Sequence, residues 1–381
     1  MVAEAARTED VRAALVSART CGLPLAVQAT GHGTHVPADG GILLRTGGAG
    51  PCGDRPGEAG GPGRARRAVG GGCCGRPRRT GWRRCRGRRP TSGVTGYTLG
   101  GGVGWLARRY GLAADSVVSA EVVTADGRTV TADADRHAGL FWALRGGGGN
   151  FGIVTSLEFR LYPVDLVHAG IAFFPYERAA ETLAHYRAWA AQAPDEVSTA
   201  VMLTTLPGGT ERVLGIKAMY AGAPERGDRV LRPLWEAAGP AIRDEVRPVR
   251  YADAAMGGTP ARYLDFFHDL PDEVISTLVE AGRHATVEIR HWGGAMSRPG
   301  PDAGPVGHRG AAFSVIVSER LAGMADALSP HGTGGTFLNF LADAGRVADA
   351  YTEADHARLA EVKRTYDPDN LFRLNLNIAP R

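Results

Sequence analysis

Three glycine-rich strings, in fixed order, constrain this chain more than any other feature. They are Ala29-Thr30-Gly31-His32-Gly33, then Gly93-Val94-Thr95-Gly96-Tyr97-Thr98-Leu99-Gly100-Gly101-Gly102, then Arg145-Gly146-Gly147-Gly148-Gly149-Asn150-Phe151-Gly152. Glycine lets a backbone approach a ligand closely and adopt positive φ, while four glycines in a row are costly in chain entropy. The strings therefore point to one extended, phosphate-bearing ligand wrapped by several loops. Residues 147–152 formally satisfy G-x-G-x-x-G, but a dinucleotide fingerprint needs a strand before it and a helix after it. Here 140–144 reads as a short helix and 153–161 as a strand ending at Pro163. The order is reversed, which argues against NAD and leaves a loop whose N–H groups face phosphate oxygens.

The 381 residues suffice for a sizeable core and imply two domains. Hydrophobic content of 44% and charged content of 22% are ordinary for a globular chain, and a net charge of +4 gives no case for nucleic acid. No run of about 18 apolar residues marks a membrane helix, and Met1–Arg7 shows no apolar leader, so the expected location is the cytoplasm. The Ala, Arg and Gly usage fits translation from a GC-rich bacterial genome.

Residues 47–89 read unlike the rest. Gly and Arg make up more than half of them, Leu, Ile, Phe, Tyr and Lys are absent, and Cys52, Cys73, Cys74 and Cys85 fall inside. The cysteine spacing does not suit a structural zinc site. The segment lacks both period 2 and period 3.6, so no regular element is expected there. It reads best as a frameshifted translation. A disordered insertion and a basic RNA-binding arm, whose affinity would fall with salt, are the competing readings.

Elsewhere the periodicities are clear. Residues 8–22 read as a helix capped by Thr8, with Val11, Ala14, Leu15 and Ala18 on its apolar face. Residues 25–28 read as a strand, and 117–123 with 128–132 as a hairpin around Asp126-Gly127. Strands at 167–174, 198–206, 212–220, 286–292 and 312–318 interleave with helices at 176–190 and 225–238, around a loop-rich middle. A last helix is expected at 354–365, followed by an extended tail in which Asn375 and Asn377 share a face.

Taken together, the three strings, Asp367-Pro368-Asp369-Asn370-Leu371-Phe372-Arg373, His291-Trp292-Gly293-Gly294-Ala295-Met296 and Gly307-His308-Arg309 resemble bacterial berberine bridge enzyme-like FAD-linked oxidoreductases, which have the vanillyl-alcohol-oxidase (PCMH) type of FAD fold. The resemblance covers nearly the whole chain except 47–89. It implies an α+β architecture. A two-subdomain PCMH-type FAD-binding domain would occupy 1–165. A substrate domain with an antiparallel sheet and helices on one face would occupy 166–335, and a C-terminal segment, 336–381, would return to the FAD domain. It also implies FAD contacts from Gly31, His32, Gly33, Thr91, Gly93, Val94, Gly96, Tyr97, Gly101, Gly102, Gly148, Gly149, Asn150, Phe151, Gly152, Ile153, Asn375 and Asn377.

In the family, the histidine matching His32 bonds covalently to the 8α-methyl of the isoalloxazine. A second link uses a cysteine where this chain has Arg89, before Pro90-Thr91, so single attachment at most is expected. Plant relatives place a base shortly after the Gly-Gly pair, where this chain has Ala295 and Ser297. Relatives also often carry tyrosines where this chain has Val103 and Phe337. Hydride loss from an alcohol needs a base for the hydroxyl proton, and Tyr97, His291 and His308 are the candidates. Strand packing or loop hydrogen bonding is the competing role for both histidines. The implied activity is hydride transfer from a C–H beside O or N of a small alcohol, sugar or secondary metabolite to flavin N5, with reoxidation by O₂ or another acceptor. The alternative is an inactive, cofactor-free product of a damaged reading frame.

Overall fold

A computed structural model describes residues 1–33, 35–46 and 93–381, together with the backbone of 52–55, 64–68 and 82–83. Thr91, Arg89 and most of the Gly/Arg-rich interval lie outside the described residues.

The helix Thr8–Thr20 buries Val11, Ala14, Leu15 and Ala18, the face that periodicity marked. Its start is secured by Asp10 rather than Thr8: the Asp10 carboxylate accepts the Ala6 and Arg7 amides, each at 3.0 Å. The helix packs over a parallel three-stranded sheet in which Ile42–Arg45 lies between Val2–Glu4 and Leu25–Gln28.

A five-stranded antiparallel sheet follows, in the order Cys52–Arg55, Arg64–Ala68, Ile153–Arg160, Val117–Val123, Thr129–Ala132. Its hairpin turns at Asp126-Gly127, where Gly127 takes φ 86° and donates to Thr124 O at 2.8 Å. The sheet corrects the expectation that 47–89 builds nothing regular. Arg64–Ala68 pairs antiparallel with Ile153–Arg160, and Cys52–Arg55 pairs with Arg64–Ala68 in turn. Ladder bonds are made by the main chain, so an available strand edge recruits a segment whose side chains carry no alternating pattern.

The largest sheet has eight antiparallel strands. Leu166–Pro175, Arg212–Tyr220, Val197–Thr205, Val287–His291, Phe313–Val317 and Tyr263–Phe267 lie in that order, with Arg243–Asp244 and Arg247–Arg250 both on the outer edge of Leu166–Pro175. Period-2 alternation separates its faces. One face, carrying Phe174, Val201, Leu203, Leu214, Ile216, Val287, Ile289 and Val315, packs under the helices Ala179–Gln192, Gly227–Ala238 and Asp272–His284. The opposite face carries Ala169, Ala200, Met219, Phe266 and Ile316 and meets residues near 103–113 and 337. The region read as a loop-rich middle contains the strand Tyr263–Phe267 and the helix Asp272–His284. Asp265 interrupts the apolar run of the strand, and the helix is entered straight from Pro271.

The chain ends with the helix Glu353–Tyr366, capped by Thr352 Oγ1, which accepts from the Asp355 amide at 3.1 Å. A tail without regular structure then crosses back over the third glycine string. Among the described residues, no helix is long and apolar enough to cross a membrane.

Candidate functional site

The three strings converge. Thr30, in the first, packs on Gly93, where an added Cβ would lie 3.1 Å from Thr30 Cγ2. The second reads as a loop in the sequence but folds into a short helix, Val94–Leu99, ended by Gly100. The third is tied to it by the Gly148 amide, which donates to Leu99 O at 2.9 Å. His32 lies exposed on the loop after Leu25–Gln28, two residues beyond Thr30.

The glycines divide into two kinds. A Cβ on Gly102 would lie 2.7 Å from Ala113 and 2.9 Å from Tyr97, one on Gly101 3.0 Å from Phe337, and one on Gly152 2.6 Å from Val122. Gly101 and Gly102 also take φ of 104° and 77°. These three are required by packing and backbone conformation, not by an approaching ligand. The Gly102 amide is spent on Asn339 Oδ1 at 2.8 Å, and the Gly148 amide on Leu99, so neither is available to a phosphate. Val94, Phe151 and Ile153, named in sequence as cofactor contacts, are core residues. By contrast, among the described residues no atom beyond the chain neighbours lies within 4 Å of a Cβ on Gly33 or Gly96, and Gly149 faces only the Asn375 amide, at 3.9 Å. Gly31 is intermediate: the nearest described atom to its Cβ would be in the Gln28 side chain, at 3.4 Å.

Asn150 binds the tail to the third string. Its Nδ2 donates to Gly147 O at 2.9 Å and Leu376 O at 3.1 Å, and its Oδ1 accepts the Ile378 amide at 3.0 Å. Asn375 Nδ2 donates to Phe372 O at 3.0 Å and Gly149 O at 3.3 Å. The Oδ1 atoms of Asn375 and Asn377 are buried and have no donor among the described residues. Leaving such an oxygen unsatisfied costs about 1–3 kcal/mol. Two of them on one tail, Asn375 beside the open Gly149, call for a ligand that supplies N–H or O–H groups, as the ring and ribityl chain of FAD do. The residues present fit that cofactor.

The three candidate bases are placed very differently. His291 lies on the helix side of the sheet, among Tyr186, Trp189 and Phe313, with Nε2 2.8 Å from Arg108 Nη1. Burial, followed by the Arg108 charge, pushes its pKa down to about 3. His291 is therefore withdrawn as a base: it packs the core and accepts from an arginine. His308, at φ 56°, stacks on Phe266, with Nε2 2.7 Å from Asp349 O and Nδ1 3.5 Å from Thr333 Oγ1. Both ring nitrogens are engaged in fixing a loop, which is the packing role weighed for it. Tyr97 sits against Gly102, with its hydroxyl buried and its carbonyl held by Asn339 Nδ2 at 3.1 Å.

The sequence reading missed a buried ionic cluster on the sheet face opposite the helices. Glu288 Oε2 accepts from Thr259 Oγ1 at 2.6 Å, the Thr259 amide at 3.1 Å and Lys217 Nζ at 3.3 Å, while Oε1 accepts from Arg290 Nε at 2.7 Å. Arg290 also lies over the Phe340 ring, at 4.5 Å from its centroid. The one available signal was Glu288-Ile289-Arg290, two charges at period 2 inside an apolar strand.

Comparison with known proteins agrees with this geometry. The family described as "Berberine and berberine like" matches residues 336–379, and the FAD binding domain family matches 84–133. Over 324 residues the chain is 29% identical to an uncharacterized FAD-linked oxidoreductase, YgaK, of Bacillus subtilis, spanning 76% of this chain and 70% of that one. It is likewise 29% identical to (R)-6-hydroxynicotine oxidase of Paenarthrobacter nicotinovorans over 336 residues, 77% and 72% of the two chains. The crystal structure of 6-hydroxy-D-nicotine oxidase from Arthrobacter nicotinovorans shares the fold, with a TM-score of 0.83 at 24% identity over 100% of this chain and 92% of that one. A carbohydrate oxidase from Microdochium nivale shares it with a TM-score of 0.78 at 19% identity, over 100% and 92%. A cofactor-free product of a damaged reading frame finds no support in these matches. By these matches the chain is similar to the berberine bridge enzyme-like, FAD-linked oxidoreductases.

Proposed function

We propose that the protein oxidises a small molecule at a C–H bond beside oxygen or nitrogen, with FAD held where the glycine strings and the C-terminal tail converge. The observation that carries this reading is the pair of buried amide oxygens of Asn375, beside Gly149, and Asn377, neither with a donor among the described residues. Residues 1–165 form the FAD-binding domain, 166–335 the substrate domain, and 336–381 the segment that closes back on the FAD side.

When bound, FAD supplies the hydride acceptor, at N5. The chain's own residues hold and orient it. Gly31, Gly33, Gly96 and Gly149 allow close backbone approach, and Asn375 and Asn377 accept its polar hydrogens. Asn150 fixes the loop, and Asn339 clamps the second string. His32 is the proposed covalent attachment point, exposed on a loop bordered by small residues. Tyr97 is the remaining candidate to take a hydroxyl proton from the substrate, since the two histidines are otherwise engaged. Two of the similar proteins are named as a hydroxynicotine oxidase and a carbohydrate oxidase, so the proposed substrate is a cyclic amine, a sugar or another alcohol, with O₂ as the electron acceptor.

The test is anaerobic mixing of purified protein with a panel of cyclic amines, oligosaccharides and secondary alcohols. Bleaching of the flavin by one class, with colour returning in air, supports the proposal. A flavin that no member bleaches removes the proposed substrate classes.

A further inference from the structure

We propose that Arg290 is the anchor for a carboxylate on the substrate. This rests on the reading of the chain as an FAD-dependent oxidase of small molecules and names one chemical group of its substrate.

Arg290 lies on the sheet face that looks away from the helices. Strand register sets a row across that face: Ile171 opposite Lys217, Lys217 opposite Ala200, Ala200 opposite Arg290, Arg290 opposite Ser314, and Ser314 opposite Phe266. Adjacent strands lie about 4.8 Å apart, so Lys217 and Arg290 bracket Ala200. The guanidinium is flanked on both neighbouring strands by small side chains, Ala200 and Ser314.

The guanidinium is only partly used. Nε donates to Glu288, but Nη1 is buried and has no acceptor among the described residues, and Arg290 is only 1% exposed. Arginine does not shed its proton in proteins, and a buried charge without compensation is strongly destabilising. The Glu288 carboxylate already accepts four hydrogen bonds, from Thr259, Lys217 and Arg290 Nε, and none of them comes from Nη1. The Phe340 face stabilises part of the guanidinium charge. What remains is a positive group with a spare N–H. A planar carboxylate is the natural acceptor, because the guanidinium fork matches its geometry.

The position also suits a substrate rather than the cofactor. Phe340 belongs to the turn Leu338–Phe340, whose Asn339 clamps Gly102 and Tyr97, so Arg290 stands on the far side of that turn from the second glycine string. The same turn thus meets Arg290 through the Phe340 ring and Tyr97 through Asn339.

The experiment is calorimetric titration of the purified holoprotein with three carboxylates (acetate, benzoate and phenylacetate), each paired with its uncharged amide. At least one carboxylate should bind about ten-fold or more tightly than its amide, and R290Q should abolish that preference while R290K keeps part of it. The wild-type comparison stands even if a variant fails to fold. Equal binding within every pair, no binding by any carboxylate, or a preference that survives in R290Q overturns the proposal. Heat of binding does not depend on turnover, so a colourless protein would sink the flavin reading without deciding the carboxylate preference.

Discussion

Lys363 Nζ lies 2.6 Å from Asp367 Oδ2, four residues on, and neither side chain has any solvent exposure. The pair joins the last helix to the third glycine string and to the tail. Lys363 also donates to Asn150 O at 2.9 Å, while Asp367 accepts the amides of Leu371 at 2.8 Å and Phe372 at 2.9 Å. Burial pushes the Lys363 pKa down, and the hydrogen bond and charge of Asp367 pull it back up.

Removing one partner leaves a buried charge uncompensated, so D367A is expected to cost about 3–5 kcal/mol. K363M should cost less, because Asp367 keeps its two amide donors. Urea denaturation of both variants checks the order. A loss below about 1 kcal/mol in D367A, the range of an exposed ion pair, would contradict the role given to the pair.

Asn339 holds Gly102 N and Tyr97 O with the two ends of one amide. N339A should weaken FAD retention and lower stability by about 1–3 kcal/mol, the cost of buried partners left unsatisfied. Flavin content after dialysis and a denaturation curve measure both effects. Unchanged flavin content would show that the clamp does not position the second string for the cofactor.

His291 gives a pH signature. Its pKa is near 3 in the folded protein, against an ordinary value of 6.5, so the unfolded chain binds the extra proton between those values. The stabilisation it provides is complete above pH 6.5 and is lost progressively as pH falls toward 3. H291Q, which can still accept from Arg108, should flatten the acid limb of the stability curve. It should also leave the activity profile above pH 6.5 unaltered. An activity pKa near neutrality that disappears in H291Q would restore His291 as the base.

How much was legible in the sequence depended on the range of the interaction. The helix Thr8–Thr20, the hairpin at Asp126-Gly127 and the interleaved strands of the large sheet were read from local periodicity, within a few residues. The family-specific strings pointed to FAD. What each glycine is for was not legible: Gly102 is crowded by Ala113 and Tyr97, while Gly33 meets no described residue beyond its chain neighbours, yet both look alike in a string. The Lys217–Glu288–Arg290 cluster was invisible for the same reason. It is assembled by pairing strands about 70 residues apart, and only register puts Lys217 and Arg290 either side of Ala200. The strands within 47–89 owe their place to a neighbour's edge, which composition does not encode.

The most direct measurement is the visible spectrum of the purified protein, taken before and after acid precipitation. The account predicts a yellow protein whose colour stays with the pellet and is released to the supernatant in H32A. Colour released from the wild type would keep FAD and remove the covalent bond to His32. A colourless wild-type protein would contradict the central claim that the converging strings and the tail hold a flavin.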